Sequence, residues 1–211
     1  MTNCNPAKTP CAVTPLGTNP NGARHSEDWE YASAVGMLMY LAGNAHPENA
    51  FAVHQCARFT HAPRQTHSLA FKQIAIYLKG ILNEKQGLIL IPSKVLTLDC
   101  YVEADFAGLW GYEDNQDPVC VRSRTRFTLT LFGCPILWSS KLQTDQTLSS
   151  TAAEYVAFSM AMREVLPMRA LLEEISSKIE LKCTATTLVK STIFEDNQGH
   201  LSLVNVPKMS T

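Results

Sequence analysis

The sequence predicts an α/β protein: a small helical segment over residues 28–86, then a mixed sheet with flanking helices over residues 87–211. Three observations carry this. From Tyr31 to about Leu82 the apolar residues recur at the helical period. After Gly87 the pattern shifts to short Val-, Leu- and Ile-rich runs of strand type. The order from there is strands, one long helix, a strand and a helix, which joins an antiparallel meander to a strand added after a crossover.

The elements follow in order. Residues 1–27 are polar and rich in Pro, Asn and Thr, and read as a disordered or extended lead-in without the apolar centre of a signal peptide. Ser26 to Trp29 looks like a helix start, a Ser cap followed by acids that suit the N-terminal dipole. Val35, Leu38, Met39 and Ala42 share one face of the first helix, and Gly43-Asn44 supplies its stop. A second helix opens near Pro47 and ends by Pro63, and a third runs from Gln65 to Leu82 with Leu69, Ile74, Tyr77, Leu78 and Ile81 on its stripe. The methionines at 37, 39, 160, 162 and 168 lie on helices and read as core filler. "GLILIPS", "VLTLDCYVEAD", "RFTLTLFG" and "CPILWSSK" are four strand candidates, with Gly133-Cys134-Pro135 as a turn. A long helix starts at Ser149-Ser150-Thr151 and runs to about Ile175, with a kink or break expected near Leu166 because Pro167 lacks a donor. "TTLVKSTIFED" is a further strand, and "NQGHLSLVNV" opens a last helix.

The net charge of -1 gives no global basic field, so any contact with nucleic acid rests on a local patch. Seven scattered cysteines without a CxxC pair favour neither a disulfide framework nor a zinc site, and point to a reducing intracellular compartment. No apolar run approaches the ~18 residues of a membrane span, so no membrane partner is expected.

The chemistry lies in acids at element ends. Glu103 and Asp105 close one strand, Glu154 sits in the first turn of the long helix, and Glu195 and Asp196 close a later strand. Strand carboxyl ends of an open α/β sheet face a common crevice, and a helix start can point into it. Crowded carboxylates repel unless a cation neutralises them, and oxygen-only ligation suits magnesium or manganese. Taken singly, each acid also fits a solvated loop position or a dipole partner. Beside the strand acids, Arg122, Arg124 and Arg126 form a basic cluster, with Lys141 after Trp138. Arg122, Arg124 and Lys141 suit phosphate contacts, which position a backbone without reading sequence, or equally a solvated strand edge.

"YVEADFAGLWG", "RSRTRFTLTLFGCPILWSSKLQ", "LSSTAAEYVAFSMAMREVLPMRALLEEI" and "IFEDNQGHLSLV" resemble the RNase H domain of copia-type LTR retrotransposon polyproteins. Residues 29–80 resemble the segment just upstream, where reverse transcriptase ends and the connection begins. The resemblance spans about residues 28–207. It implies an RNase H-like fold that cleaves the RNA strand of an RNA–DNA hybrid, as a neighbour of the polymerase region in a parent polyprotein. It also implies an intracellular setting, in cytoplasmic virus-like particles or the nucleus. Two Mg²⁺ or Mn²⁺ ions ~3.5–4 Å apart would activate water and stabilise the leaving oxygen. Glu154 matches the family's helix Glu, Asp196 its strand-four Asp, and Glu103 the leading acid of its first motif; Asp105 is a further candidate metal ligand.

Several departures bear on activity. The first motif normally reads Asp-Ala-Asp, and Glu103 in the leading place displaces the carboxylate by up to ~1.5 Å, about one carbon–carbon bond; a shift of ~1 Å at a reacting centre can cost ~100-fold. Arg126 stands where the family usually has Gly, and Ala152 where an acid is common. The sequence ends at "NVPKMST", before the family's last strand, helix and fourth acid, so a C-terminally truncated, incomplete domain is expected. No two Asp residues are adjacent, so the polymerase Tyr-x-Asp-Asp motif is absent. Two readings therefore stand: an impaired RNase H-type hydrolase, or a catalytically inactive relic or nucleic-acid-binding module that keeps the fold. A helical interaction module on residues 28–83 rests on amphipathicity alone.

Overall fold

The computed structural model describes residues 5, 7–83, 88, 90–178 and 189–197. The chain divides into two compact units, residues 1–88 with 108–121 and residues 89–107 with 122–211.

The helical unit contains α1 (Tyr31–Asn44), α2 (Ala50–Ala57) and α3 (Gln65–Asn83), with short 3₁₀ turns at Pro47–Asn49 and Pro118–Val121. Tyr31, Val35, Leu38 and Ala42 of α1 meet Ala52, Val53 and Cys56 of α2 and Ile74 of α3 in one buried cluster. The spacing i, i+4, i+7, i+11 on α1 is the apolar stripe that makes it a packed helix. Met37, Met39 and Leu69 are exposed, so the expectation that they fill the core is corrected. The start of α1 also differs: Ser26 is no cap, and the helix begins after Glu30 without a side-chain cap bond. Aromatic packing holds this entry instead, with Trp29 stacked on Tyr31 and tilted against Phe71, ring centres 4.7 Å apart in the second case.

Residues 1–4 and 6 of the expected lead-in lie outside the described residues. The described part forms no helix, yet it is bonded to the unit. Arg58 donates to Leu16 O and Glu113, and Glu113 also accepts the Thr18 N–H. A Cβ on Gly17 would stand 2.8 Å from Tyr112 O, so the lead-in passes the 108–121 loop at a distance only glycine allows.

The sheet unit contains β1 (Thr97–Asp105), β2 (Arg124–Leu131), β3 (Cys134–Leu142), α4 (Ser150–Lys178) and β4 (Lys190–Phe194). The strand order is β3-β2-β1-β4, with β1–β2 and β2–β3 antiparallel and β1–β4 parallel. This is the expected α/β arrangement with a mixed sheet and a helical crossover. Leu98, Cys100, Val102, Phe127 and Leu129 point to one face and bury against Ala157, Ala161 and Val165 of α4. The alternate residues of β1 stand on the other face, where Tyr101 stacks on Phe194 with ring centres 4.8 Å apart.

Three expectations change here. The described residues of "GLILIPS" form no strand: Leu90 and Ile91 are exposed, and Ser93 makes a single backbone bond to Phe132 O. Pro92 has no donor to continue a ladder. The β2–β3 turn is Phe132-Gly133, both at positive φ (55° and 78°), and Cys134 and Pro135 belong to β3. A two-residue turn with both φ positive matches the twist of the strands it joins. Helix α4 continues unbroken through Pro167. Apolar residues on both sides of the proline, Val165 before it and Met168 and Leu172 after it, pack on the sheet core and hold the helix together. The expected last helix lies outside the described residues.

Candidate active site

Ser149 opens α4 as its sequence suggests, accepting the Ala152 N–H on its hydroxyl and the Ala153 N–H on its carbonyl. The stripe that packs on the sheet includes Ala153, Ala157, Ala161 and Val165, and Glu154 lies at its N-terminal end. Glu154 is therefore turned inward, 6% exposed. The backbone N–H of Ala104, near the end of β1, donates to its carboxylate. Its Oε2 is buried without a hydrogen-bond partner. Burial pushes its pKa from 4.5 to about 7; the Ala104 N–H opposes this, and the charges of Glu195, Asp196 and Glu103 reinforce it. The helix-start acid and the strand-end acids thus share one electrostatic neighbourhood.

They do not share one face. The parallel register pairs Cys100 with Ile193 and Tyr101 with Phe194. Ile193 packs on the α4 side, and Glu195, two residues on, has both carboxylate oxygens shielded from solvent. Asp196, expected as the ligand from this strand, is exposed. The sequence marked both Glu195 and Asp196 as strand-end acids.

Glu103 lies on the face opposite α4, across from Arg126 in the β1–β2 register. Arg126 reaches Glu103 at 3.5 Å through Nη1 and Asp105 at 3.2 Å through Nη2. One guanidinium thus neutralises both acids of the "EAD" motif, which are 56% and 37% exposed. Exposed ion pairs of this kind contribute ~0.2–1 kcal/mol each. Their larger effect is on where the carboxylates point. Among the described residues no group of three or more His, Cys, Asp or Glu side chains is gathered so as to hold a metal ion. The buried Oε2 of Glu154 offers one ligand atom, but Glu103 and Asp105 are engaged elsewhere. As arranged, the residues present do not fit a metal pair.

Of the three residues expected to meet phosphates, Lys141 is exposed and Arg122 half-buried. Arg124 is only 4% exposed and donates to Ser140 O, so its side chain is engaged within the sheet.

Gln143, not singled out in the sequence, positions the helix start. Its buried side-chain amide donates to Thr125 Oγ1 at 3.1 Å and to Ala153 O at 2.9 Å, and its backbone N–H to Ser123 O. This ties the first turn of α4, and with it Glu154, to β2. The signal was present in "SSKLQ", where a polar residue closes a strand.

The chain is 31% identical to the retrovirus-related Pol polyprotein from transposon RE1 of Arabidopsis thaliana over 210 residues, 96% of this chain and 14% of that protein. It is 32% identical to the corresponding polyprotein from transposon TNT 1-94 of Nicotiana tabacum over 183 residues, 83% of this chain and 13% of that protein. It is also 35% identical to secreted RxLR effector protein 161 of Plasmopara viticola over 136 residues, 64% of this chain and 89% of that protein. No protein-family model matches the chain, and no solved structure matches it. It spans 14% of the length of the RE1 polyprotein, and it belongs to the copia-type retrotransposon Pol polyproteins.

Proposed function

We propose that the sheet unit is an RNase H-like module whose ancestral reaction is hydrolysis of the RNA strand of an RNA–DNA hybrid, and whose own activity is impaired. The mixed sheet with a helical crossover, and the carboxylates whose charges meet at Glu154, support the ancestry. The observation that carries the impairment is Arg126, whose guanidinium binds both Glu103 and Asp105. Among the described residues the acids as placed do not gather into a metal site. The proposed partners are an RNA–DNA hybrid and the polymerase region of a parent polyprotein, with Mg²⁺ or Mn²⁺ as the cofactor of the ancestral reaction.

The test is cleavage of a labelled RNA–DNA hybrid with Mg²⁺ or Mn²⁺. Wild type should cleave poorly, and the double variant Glu103→Asp/Arg126→Gly should gain about 100-fold, the factor expected for moving a reacting group by ~1 Å. Glu154→Ala in that background should abolish the gain. Efficient cleavage by wild type would overturn the impairment. The second reading, an inactive relic or nucleic-acid-binding module, is favoured by the absence of a three-ligand group among the described residues. Hybrid binding without cleavage, in wild type and double variant alike, would establish it.

A further inference from the structure

We propose that a cleft in the helical unit, lined by Arg24, His61 and Arg64, binds phosphate groups. The cleft measures about 480 Å³, within the ~300–1,000 Å³ of small-ligand sites, and its remaining walls include His25, Glu30, Tyr31 and Thr60. Its floor is a short antiparallel pairing. His25 N–H donates to Pro63 O at 3.1 Å and Gln65 N–H to Ala23 O at 2.9 Å, with Arg24 and Arg64 as bridge partners between them. Bonds on either side of the pair make it the non-hydrogen-bonded kind, where Cα atoms stand ~4.5 Å apart and side chains rise close together on one side. Like charges directly opposite each other are unfavourable there.

Two other basic side chains of this unit are neutralised: Arg58 pairs with Glu113 and Lys72 with Glu27. Among the described residues neither Arg24 nor Arg64 has a carboxylate partner; Arg64 uses one N–H on Gly22 O. Glu30 is the single acid on the walls, exposed at the start of α1. Two permanent positive charges, with the imidazole of His61 beside them, thus face a cavity with one negative charge. An anion between the two guanidinium groups removes their repulsion and accepts from both. A tetrahedral phosphate has enough oxygens to engage both forks and His61 together, which a two-oxygen carboxylate does not. The phosphate belongs either to a nucleic-acid backbone or to a free nucleotide or inorganic ion. This inference is independent of the RNase H reading, since it uses only the helical unit.

The test uses the full chain and three probes at low salt: pyrophosphate and AMP by calorimetry, and a short labelled DNA oligonucleotide by fluorescence anisotropy. Arg24→Gln should weaken binding about tenfold or more, and Arg163→Gln, an exposed position on α4, should leave it unchanged. Among the described residues Arg24 makes no side-chain bond, so the unliganded variant should melt at or above the wild-type temperature. Equal affinity for all three probes identifies a free phosphate ligand. Binding of the oligonucleotide alone, with a salt slope that falls by about 0.7 in Arg24→Gln, identifies a single-strand backbone. Absence of binding by every probe, or equal loss in Arg24→Gln and Arg163→Gln, would overturn the proposal.

Discussion

Replacing Glu154 by Gln should make the protein more stable at alkaline pH and remove much of its pH dependence. In the folded chain the Glu154 carboxyl titrates near 7 rather than 4.5, chiefly because it is buried. Between those values the folded state holds a proton that the unfolded chain releases, so stability falls as pH rises. The stabilising contribution of the neutral acid is fully present below about 4.5 and is lost as pH climbs through 7. A shift of this size corresponds to about 3 kcal/mol at alkaline pH. Most of it is lost between about pH 5 and pH 8. Gln has the shape of the protonated acid and still accepts the Ala104 N–H, but cannot ionise. Urea denaturation followed by circular dichroism across that range should show the wild-type midpoint falling and the Glu154→Gln midpoint staying nearly level. The two should coincide near pH 5 and diverge by about 2–3 kcal/mol near pH 8. Parallel curves for the two proteins would refute the placement of Glu154 in a buried, acid-rich position.

His67 should impose the opposite trend on the helical unit. It is fully buried, its Nδ1 accepts the Arg64 N–H and its Nε2–H donates to Gly17 O, and burial lowers its pKa. Stability from the neutral ring is present above 6.5 and lost as pH falls below it, which hydrogen exchange in α3 would report. Gln143→Ala leaves Ala153 O and Thr125 Oγ1 without this donor, and should cost about 1–3 kcal/mol with the first turn of α4 exchanging fastest. Gly133→Val, at φ 78°, should cost about 1–2 kcal/mol in the same denaturation assay.

Much of the sheet was legible because β1 alternates cleanly. Leu98, Cys100 and Val102 form the buried row, so "TLDCYVEAD" reads as a half-buried strand. The apolar run at 88–93 looked equally convincing, but its described residues form no strand, because hydrophobicity alone does not supply a pairing partner. That α4 carries on through Pro167 was not legible, because local sequence carries the lost donor and not the tertiary packing on both sides of it. In the candidate site, the acids were visible as strand-end and helix-start residues. Their faces were not, because a shift of one residue moves a side chain to the other side of a sheet. That is why the burial of Glu195 and the exposure of Asp196 were not legible. Arg126 was visible as a departure from the family's glycine, but its hold on Glu103 and Asp105 depends on the β1–β2 register, which only the fold supplies.

The most direct measurement of whether the acids are divided between two faces is manganese binding, followed by the loss of the free-ion electron paramagnetic resonance signal. The wild-type chain should show no tight Mn²⁺ site at neutral pH, and Arg126→Gly/Glu103→Asp should acquire one that disappears on Glu154→Ala. Tight binding of two ions by the wild-type chain, lost on Glu154→Ala, would contradict the arrangement described for Arg126, Glu103 and Glu154.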